Sequence, residues 1–217
     1  GFGEQASTLV DREVIDIVYG SKLQCGSCGP TDDGTNWIYA ITKSSGSGSP
    51  GLPAELIYSV DGGLNWSETG ITGIGATEDP IGIDIVGQYL VVLSRTASSA
   101  TTGGYYYATI NTYTGVPGAF TKVTTGFVAN KQPNDLYVAG PNEVYFAADG
   151  GYVYKATDIT AGVAVNNAGS ATTNTLIRID GIDHVIVAAG AASTVIRSIN
   201  RGATWTTTVD PTPSDIP

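Results

Sequence analysis

The sequence predicts an all-β protein: a β-propeller with four recognisable four-stranded blades, forming either a complete four-bladed ring or an arc of a larger one. Two observations carry this. Short runs of β-branched and aromatic residues alternate with Gly, Ser, Thr and Asn clusters along the whole 217-residue chain, and no stretch shows a long apolar 3.6-residue period. A turn signal recurs at Asp61, Asn111, Asp158 and Asn200, at intervals of 50, 47 and 42 residues, each time with four strand-like runs per unit. A two-sheet sandwich uses strands at similar spacing. Column-by-column repetition of the third strand and its turn favours the radial arrangement.

The elements follow in order. Residues 1–12 are an irregular lead-in, and 210–217 a tail. The blades fall at about 13–72, 79–127, 133–170 and 174–209. In the first, Val14–Val18 is a strand ended by Gly20, Ser21 to Asn36 a long loop, and Trp37–Ile41 the second strand. A Ser/Gly connection leads to Leu56–Tyr58, a turn, and a fourth strand beginning near Leu64. The second unit repeats this with Ile81–Val86, Tyr89–Leu93, Tyr105–Asn111 and Phe120–Val123. The third has Asp135–Val138, Glu143–Ala147, Tyr152–Asp158 and Val163–Val165. The fourth has Leu176–Ile179, His184–Ala188, Thr194–Asn200 and Ala203–Thr206.

The first turn reads Ser59-Val60-Asp61-Gly62-Gly63-Leu64-Asn65-Trp66, and the last Ser198-Ile199-Asn200-Arg201-Gly202-Ala203-Thr204-Trp205. An Asp or Asn side chain at a hairpin turn accepts hydrogen bonds from the turn's own N–H groups. The glycine two residues on allows a positive φ, and the tryptophan is expected to fold over the turn and become buried. Asn111 and Asp158 mark shorter copies without the tryptophan. This Ser-x-Asp-x-Gly-x-x-Trp pattern resembles the Asp-box (BNR) repeat of β-propellers, over about residues 13–209. Ser59, Asp61, Gly63, Trp66, Asn111, Asp158, Ser198, Asn200, Gly202 and Trp205 are therefore read as structural.

Composition narrows function. A formal charge of −10 with only ten Lys+Arg argues against nucleic acid and anionic membranes as partners. No apolar run is long enough for a membrane span. The chain starts at Gly1 and contains no methionine, and so reads as a processed chain or part of a longer one. Cys25-Gly26-Ser27-Cys28 sits in a loop-like context. A structural disulfide or idle thiols, a zinc half-site and a redox pair all remain open for it.

Chemistry has few candidates. Asp16, Asp84, Asp135 and Arg178 lie on the innermost strands and could converge near the axis, as channel-lining charge or as a carboxylate pair for glycoside cleavage. Sialidases share the Asp box, but the resemblance implies an arginine cluster and an Arg-Ile-Pro motif, which this chain lacks. His184 has no serine in a nucleophile-elbow context. No catalytic, cofactor or metal site is predicted. Asn65-Trp66-Ser67 matches a glycosylation sequon inside a tight turn.

The long connections at 43–54 and 95–104 are expected on the face away from the boxes, with Tyr105, Tyr106 and Tyr107 as a possible aromatic anchor beside the second. The phrases Lys131-Gln132-Pro133-Asn134-Asp135-Leu136-Tyr137-Val138 and Asn200–Trp205 resemble repeat-bearing virion proteins of tailed phages, and secondarily photosystem II stability-factor-type propellers. The resemblance implies a non-enzymatic structural or interaction protein of a virion or extracellular assembly, meeting protein partners or its own copies. A carbohydrate-binding or glycoside-cleaving propeller is the alternative. An assembly factor for a membrane protein complex is a further one, although such a factor usually carries a basic patch.

Overall fold

Each group of four consecutive β runs forms one antiparallel sheet in a computed structural model of the chain, which describes residues 13–21, 36–43, 53–75, 78–96 and 103–208. Blade 1 contains β1 (Val14–Ser21), β2 (Asn36–Thr42), β3 (Glu55–Ser59) and β4 (Ser67–Gly70). Blade 2 contains β5 (Glu78–Val86), β6 (Tyr89–Thr96), β7 (Gly104–Thr109) and β8 (Thr121–Val123). Blade 3 has β9 (Pro133–Gly140), β10 (Glu143–Ala148), β11 (Tyr152–Asp158) and β12 (Gly162–Ala168). Blade 4 has β13 (Leu176–Ile182), β14 (Val185–Gly190), β15 (Thr194–Ser198) and β16 (Thr206–Thr207). In every sheet the strands lie side by side in chain order. The only helical element among the described residues is the 3-10 turn Asp149–Gly151.

Several strand ends differ from those predicted. β4 begins at Ser67 rather than near Leu64, and β16 at Thr206 rather than Ala203, because the box turn holds the intervening residues. β7 ends at Thr109, and Asn111 belongs to the turn. β6 runs on through Arg95 and Thr96, and β7 starts at Gly104, so the connection between them is shorter than predicted. Cys25, Cys28 and residues 44–52 and 97–102 of the two long connections lie outside the described residues.

Alternation along each strand sends side chains to two faces, and each internal face packs against the next blade. Trp37, Tyr39 and Leu56 of blade 1 join Leu90, Val92 and Tyr106 of blade 2 in one core. Val91, Leu93 and Tyr105 meet Val144, Phe146 and Tyr154 in a second. Tyr145, Ala147 and Val153 meet Leu176, Ile186 and Ile196 in a third. Tyr105 and Tyr106 are thus fully buried on opposite faces of blade 2, and Tyr107 is half-buried edge-on to Tyr89. The predicted aromatic anchor is instead core, as expected where strand alternation runs between two packed neighbours.

No hydrophobic cluster joins blade 4 to blade 1 among the described residues. Nor do β13 and β1 approach each other as β1 does β5, β5 does β9 and β9 does β13. Among the described residues, blades 1 and 4 thus share no seam like the three between consecutive blades. No helix among the described residues is long and apolar enough to cross a membrane.

Candidate functional site: the box turns and the seams between blades

The first and last turns fold through the same hydrogen bonds. In the first, Ser59 Oγ donates to Asp61 Oδ1 at 2.8 Å and accepts from the Gly63 N–H at 2.8 Å. Asp61 then accepts from the Asn65 backbone N–H at 2.9 Å and from Asn65 Nδ2 at 2.7 Å. In the last, Ser198 Oγ donates to Asn200 Oδ1 at 2.9 Å and accepts from the Gly202 N–H at 2.8 Å. Asn200 Oδ1 accepts from the Thr204 N–H, and Asn200 Nδ2 donates to Thr204 Oγ1, both at 2.9 Å. Gly63 and Gly202 have φ of +91° and +78°, where a side chain would be strained. Hydrogen bonds from the Asn65 backbone, the Asn65 side chain and Ser59 hold the Asp61 carboxyl down at about 2. The Asn65 amide of the sequon is itself engaged with Asp61.

The middle copies are smaller. Asn111 Oδ1 accepts from the N–H groups of Tyr113 and Thr114 at 3.0 and 3.1 Å. Asp158 Oδ1 accepts from the Thr160 N–H at 2.8 Å and its hydroxyl at 2.7 Å.

The two tryptophans differ. The Trp66 ring folds back so that Nε1 donates to the Gly63 carbonyl at 3.1 Å, yet the residue is 44% exposed. The expectation that it is buried is corrected: among the described residues no neighbouring blade packs over this turn. Trp205 is half-buried in the third core, and its Nε1 donates to Asn166 Oδ1 of blade 3 at 2.7 Å.

Each internal seam carries a tyrosine staple. Tyr39 of blade 1 donates its hydroxyl to the Gly115 carbonyl in the turn of blade 2, at 2.6 Å. Tyr105 of blade 2 donates to Ile159 O in the turn of blade 3, at 2.8 Å. Tyr145 of blade 3 donates to Arg201 O in the turn of blade 4, at 2.6 Å. Burial pushes the Tyr39 and Tyr105 hydroxyls well above the usual phenol range. Nothing in the sequence reading points to this role: it singles out neither Tyr39 nor Tyr145, and it takes Tyr105 as part of an aromatic anchor. A tyrosine inside a strand whose neighbours are all apolar is a usable signal, because a buried hydroxyl needs a partner.

The innermost strands carry a second latch. Pairing is interrupted at a matching place in each, between Val14 and Asp16, Pro80 and Gly82, Pro133 and Asp135, and Leu176 and Arg178, with a second interruption in β9 between Val138 and Gly140. Such a bulge re-aims the residue after it. Asp16 Oδ2 there accepts from the Ile83 N–H of blade 2 at 3.0 Å. Asp135 Oδ2 accepts from the Ile179 N–H of blade 4 at 2.9 Å. Arg178 holds the same place in blade 4 and lies 3.7 Å from Asp135 Oδ1. In blade 2 the place belongs to Gly82, and Asp84 comes two residues later. Asp84 is raised by burial and by the charge of Asp16, and Asp135 is raised chiefly by burial.

Two further networks lay beyond the sequence reading. Glu78 is buried and accepts from Ser94 Oγ at 2.6 Å, Tyr106 OH at 2.8 Å and Lys122 Nζ at 2.7 Å. Burial pushes its carboxyl up, but these bonds prevail and leave it below the usual range. Arg95 pairs with Asp149 of blade 3 at 2.9 Å. His184 is exposed, and its carbonyl accepts from the Arg201 N–H at 2.9 Å. Among the described residues no three His, Cys, Asp or Glu side chains group to hold a metal.

No family model and no curated protein sequence matches the chain. Solved structures do. YCF48 from Cyanidioschyzon merolae superposes with a TM-score of 0.59 at 13% identity, over 97% of this chain and 60% of that one. The fold is a β-propeller. The GH74 enzyme of Niastella koreensis matches with a TM-score of 0.57 at 14% identity, over 89% of this chain and 30% of that one. The Cps50 (Swd1) β-propeller domain of Myceliophteria thermophila gives 0.54 at 12% identity, over 84% and 52%. The chain spans 60% or less of each of these propellers. The likeness is one of fold.

Proposed function

We propose that this propeller is a non-enzymatic structural and interaction protein, a component of a virion or extracellular assembly. The observation that carries the proposal is the set of large apolar side chains exposed on blades 1 and 4. Ile17, Tyr19 and Leu64 are exposed in blade 1, and Ile177, Ile182 and Ile199 in blade 4. Where such side chains gather into a patch they mark an interaction site. The charged groups support the same reading, since Asp16, Asp61, Asp135, Glu78 and Glu143 are all engaged in holding turns, strands or neighbouring blades together. The repeat style that resembles tailed-phage virion proteins supplies the setting. The long connections at 43–54 and 95–104 are a second contact region in this proposal.

Two measurements test it. Sedimentation of the purified chain across a concentration series should show reversible association, and a panel of glycosides should be neither bound nor cleaved. Replacing residues 97–102 by two glycines should leave the thermal midpoint nearly unchanged, because closure entropy varies slowly with loop length, and should weaken assembly. The second reading, a glycan-binding or glycoside-cleaving propeller, is favoured by the raised carboxyls of Asp84 and Asp135 on inner strands that also carry Asp16. Hydrolysis abolished by joint change of Asp16, Asp84 and Asp135 to Asn would overturn the structural proposal.

A further inference from the structure

We infer that the aspartates of the innermost strands form a cover over the free edges of the blades, one that keeps an extended peptide segment from pairing along the inner wall. This rests on the non-enzymatic reading above and gives Asp16, Asp84 and Asp135 a task within it. β1, β5, β9 and β13 each stand at one end of their sheet, paired on one side only among the described residues, and consecutive ones lie side by side. An edge strand offers every second N–H and C=O to any strand that meets it.

Five of those N–H groups are already bonded to aspartate oxygens. Asp16 Oδ1 accepts from Ile17 at 2.8 Å, and Asp16 Oδ2 from Ile83 at 3.0 Å. Asp84 Oδ1 accepts from Ile85 at 2.7 Å, Asp135 Oδ2 from Ile179 at 2.9 Å, and Asp180 Oδ1 from Gly181 at 2.7 Å. Ile83 and Ile179 turn their N–H groups toward an aspartate of the preceding blade, and so away from β6 and β14. Backbone groups two residues apart on a strand point to the same edge, so Ile85 and Gly181 do likewise.

The cover has two parts. Asp16 and Asp135, re-aimed by the bulge before them, reach across a seam to the next innermost strand. Asp84 and Asp180 hold matching places, opposite Val91 of β6 and Val187 of β14, and close the next N–H of their own strand. A strand approaching these edges brings carbonyl oxygens that need donors and meets carboxylates in their place. Other features act in the same direction. Pro80 and Pro133 have no N–H to offer, and the bulges interrupt the edge at a matching place in every blade.

The test is amide hydrogen exchange, read residue by residue by NMR on the full chain. In the wild type the five N–H groups should exchange about tenfold or more slowly than unbonded edge N–H groups of the outermost strands. Asp84→Ala combined with Asp180→Ala leaves both bonds between blades in place. Ile85 and Gly181 should then lose their protection, while Ile83 and Ile179 keep theirs. Asn at both positions, whose side-chain oxygen still accepts, should restore it. The Ala variant should also associate more strongly than the wild type in sedimentation, or bind an alternating Thr-Val octapeptide that the wild type leaves free. The first result identifies pairing between copies, the second capture of a foreign strand. Wild-type N–H groups without protection, or protection that the Ala variant retains, overturns the cover and leaves the interaction reading in place. Faster exchange with no gain in either kind of binding overturns the exclusion of a pairing strand. Glycoside hydrolysis that is lost in the Asn variant overturns the non-enzymatic reading, whatever the exchange shows.

Discussion

The first and the last box turns have nearly superimposable wiring and different surroundings. Ser59, Asp61 and Asn65 repeat in Ser198, Asn200 and Thr204, except that the side-chain bond runs from Asn65 to Asp61 in the first turn and from Asn200 to Thr204 in the last. Yet Trp66 returns its indole N–H to its own turn, while Trp205 reaches Asn166 across a seam. The motif closes the hairpin; the neighbouring blade decides how much of it is buried.

Removing a grip should separate the two turns most. Tyr145 is fully buried and bonds Arg201 O, so Tyr145→Ala should cost about 3–5 kcal/mol and lower the unfolding midpoint in a thermal melt. Tyr145→Phe, which leaves the carbonyl without its donor, should cost about 1–3 kcal/mol. Next come the tryptophans. Trp205→Ala should cost about 2–3 kcal/mol, short of full core burial, and Trp66→Ala about 1 kcal/mol. Equal losses in denaturant titrations would mean that the seam contributes nothing beyond the motif. Gly202→Ala should destabilise more than Gly63→Ala: both force a side chain into positive φ, but only the former also meets Tyr145 and Asn166.

The smallest effect is one of pH. Asp61 has a folded-state pKa depressed to about 2, below its unfolded value, whereas Asn200 does not titrate. Its contribution is therefore complete above the unfolded carboxyl range and is lost as pH falls through about 2. Asp61→Asn, which copies the fourth box, should narrow the difference between neutral and acid midpoints. An unchanged acid limb would show that Asp61 is not depressed.

Much of the fold was legible in the sequence because it is local. β-branched runs, glycine punctuation and the box turn each act within a few residues, and their repetition revealed the blades. The seams were not legible in the same way. Glu78 draws its partners from three other strands, and nothing near it in sequence announces Ser94, Tyr106 or Lys122. The bulge shifts the pairing of each innermost strand by one residue, so Gly82 rather than Asp84 falls in line with Asp16 and Asp135. Exposure of Trp66 depends on which blade lies before it, which a motif cannot record.

The tyrosine staples all point the same way along the chain, from an earlier blade into the turn of the next. Opening blade 4 leaves the Tyr145 hydroxyl only Glu143 of its own blade and strands the Arg201 carbonyl without its donor, and opening blade 1 strands the Gly115 carbonyl without its donor. Cooperativity then travels between nearest neighbours, as in repeat arrays. Blades 2 and 3, held on both faces, should protect their amides from hydrogen exchange longest, and the turn at Ser59–Trp66 should exchange before the turn at Ser198–Trp205.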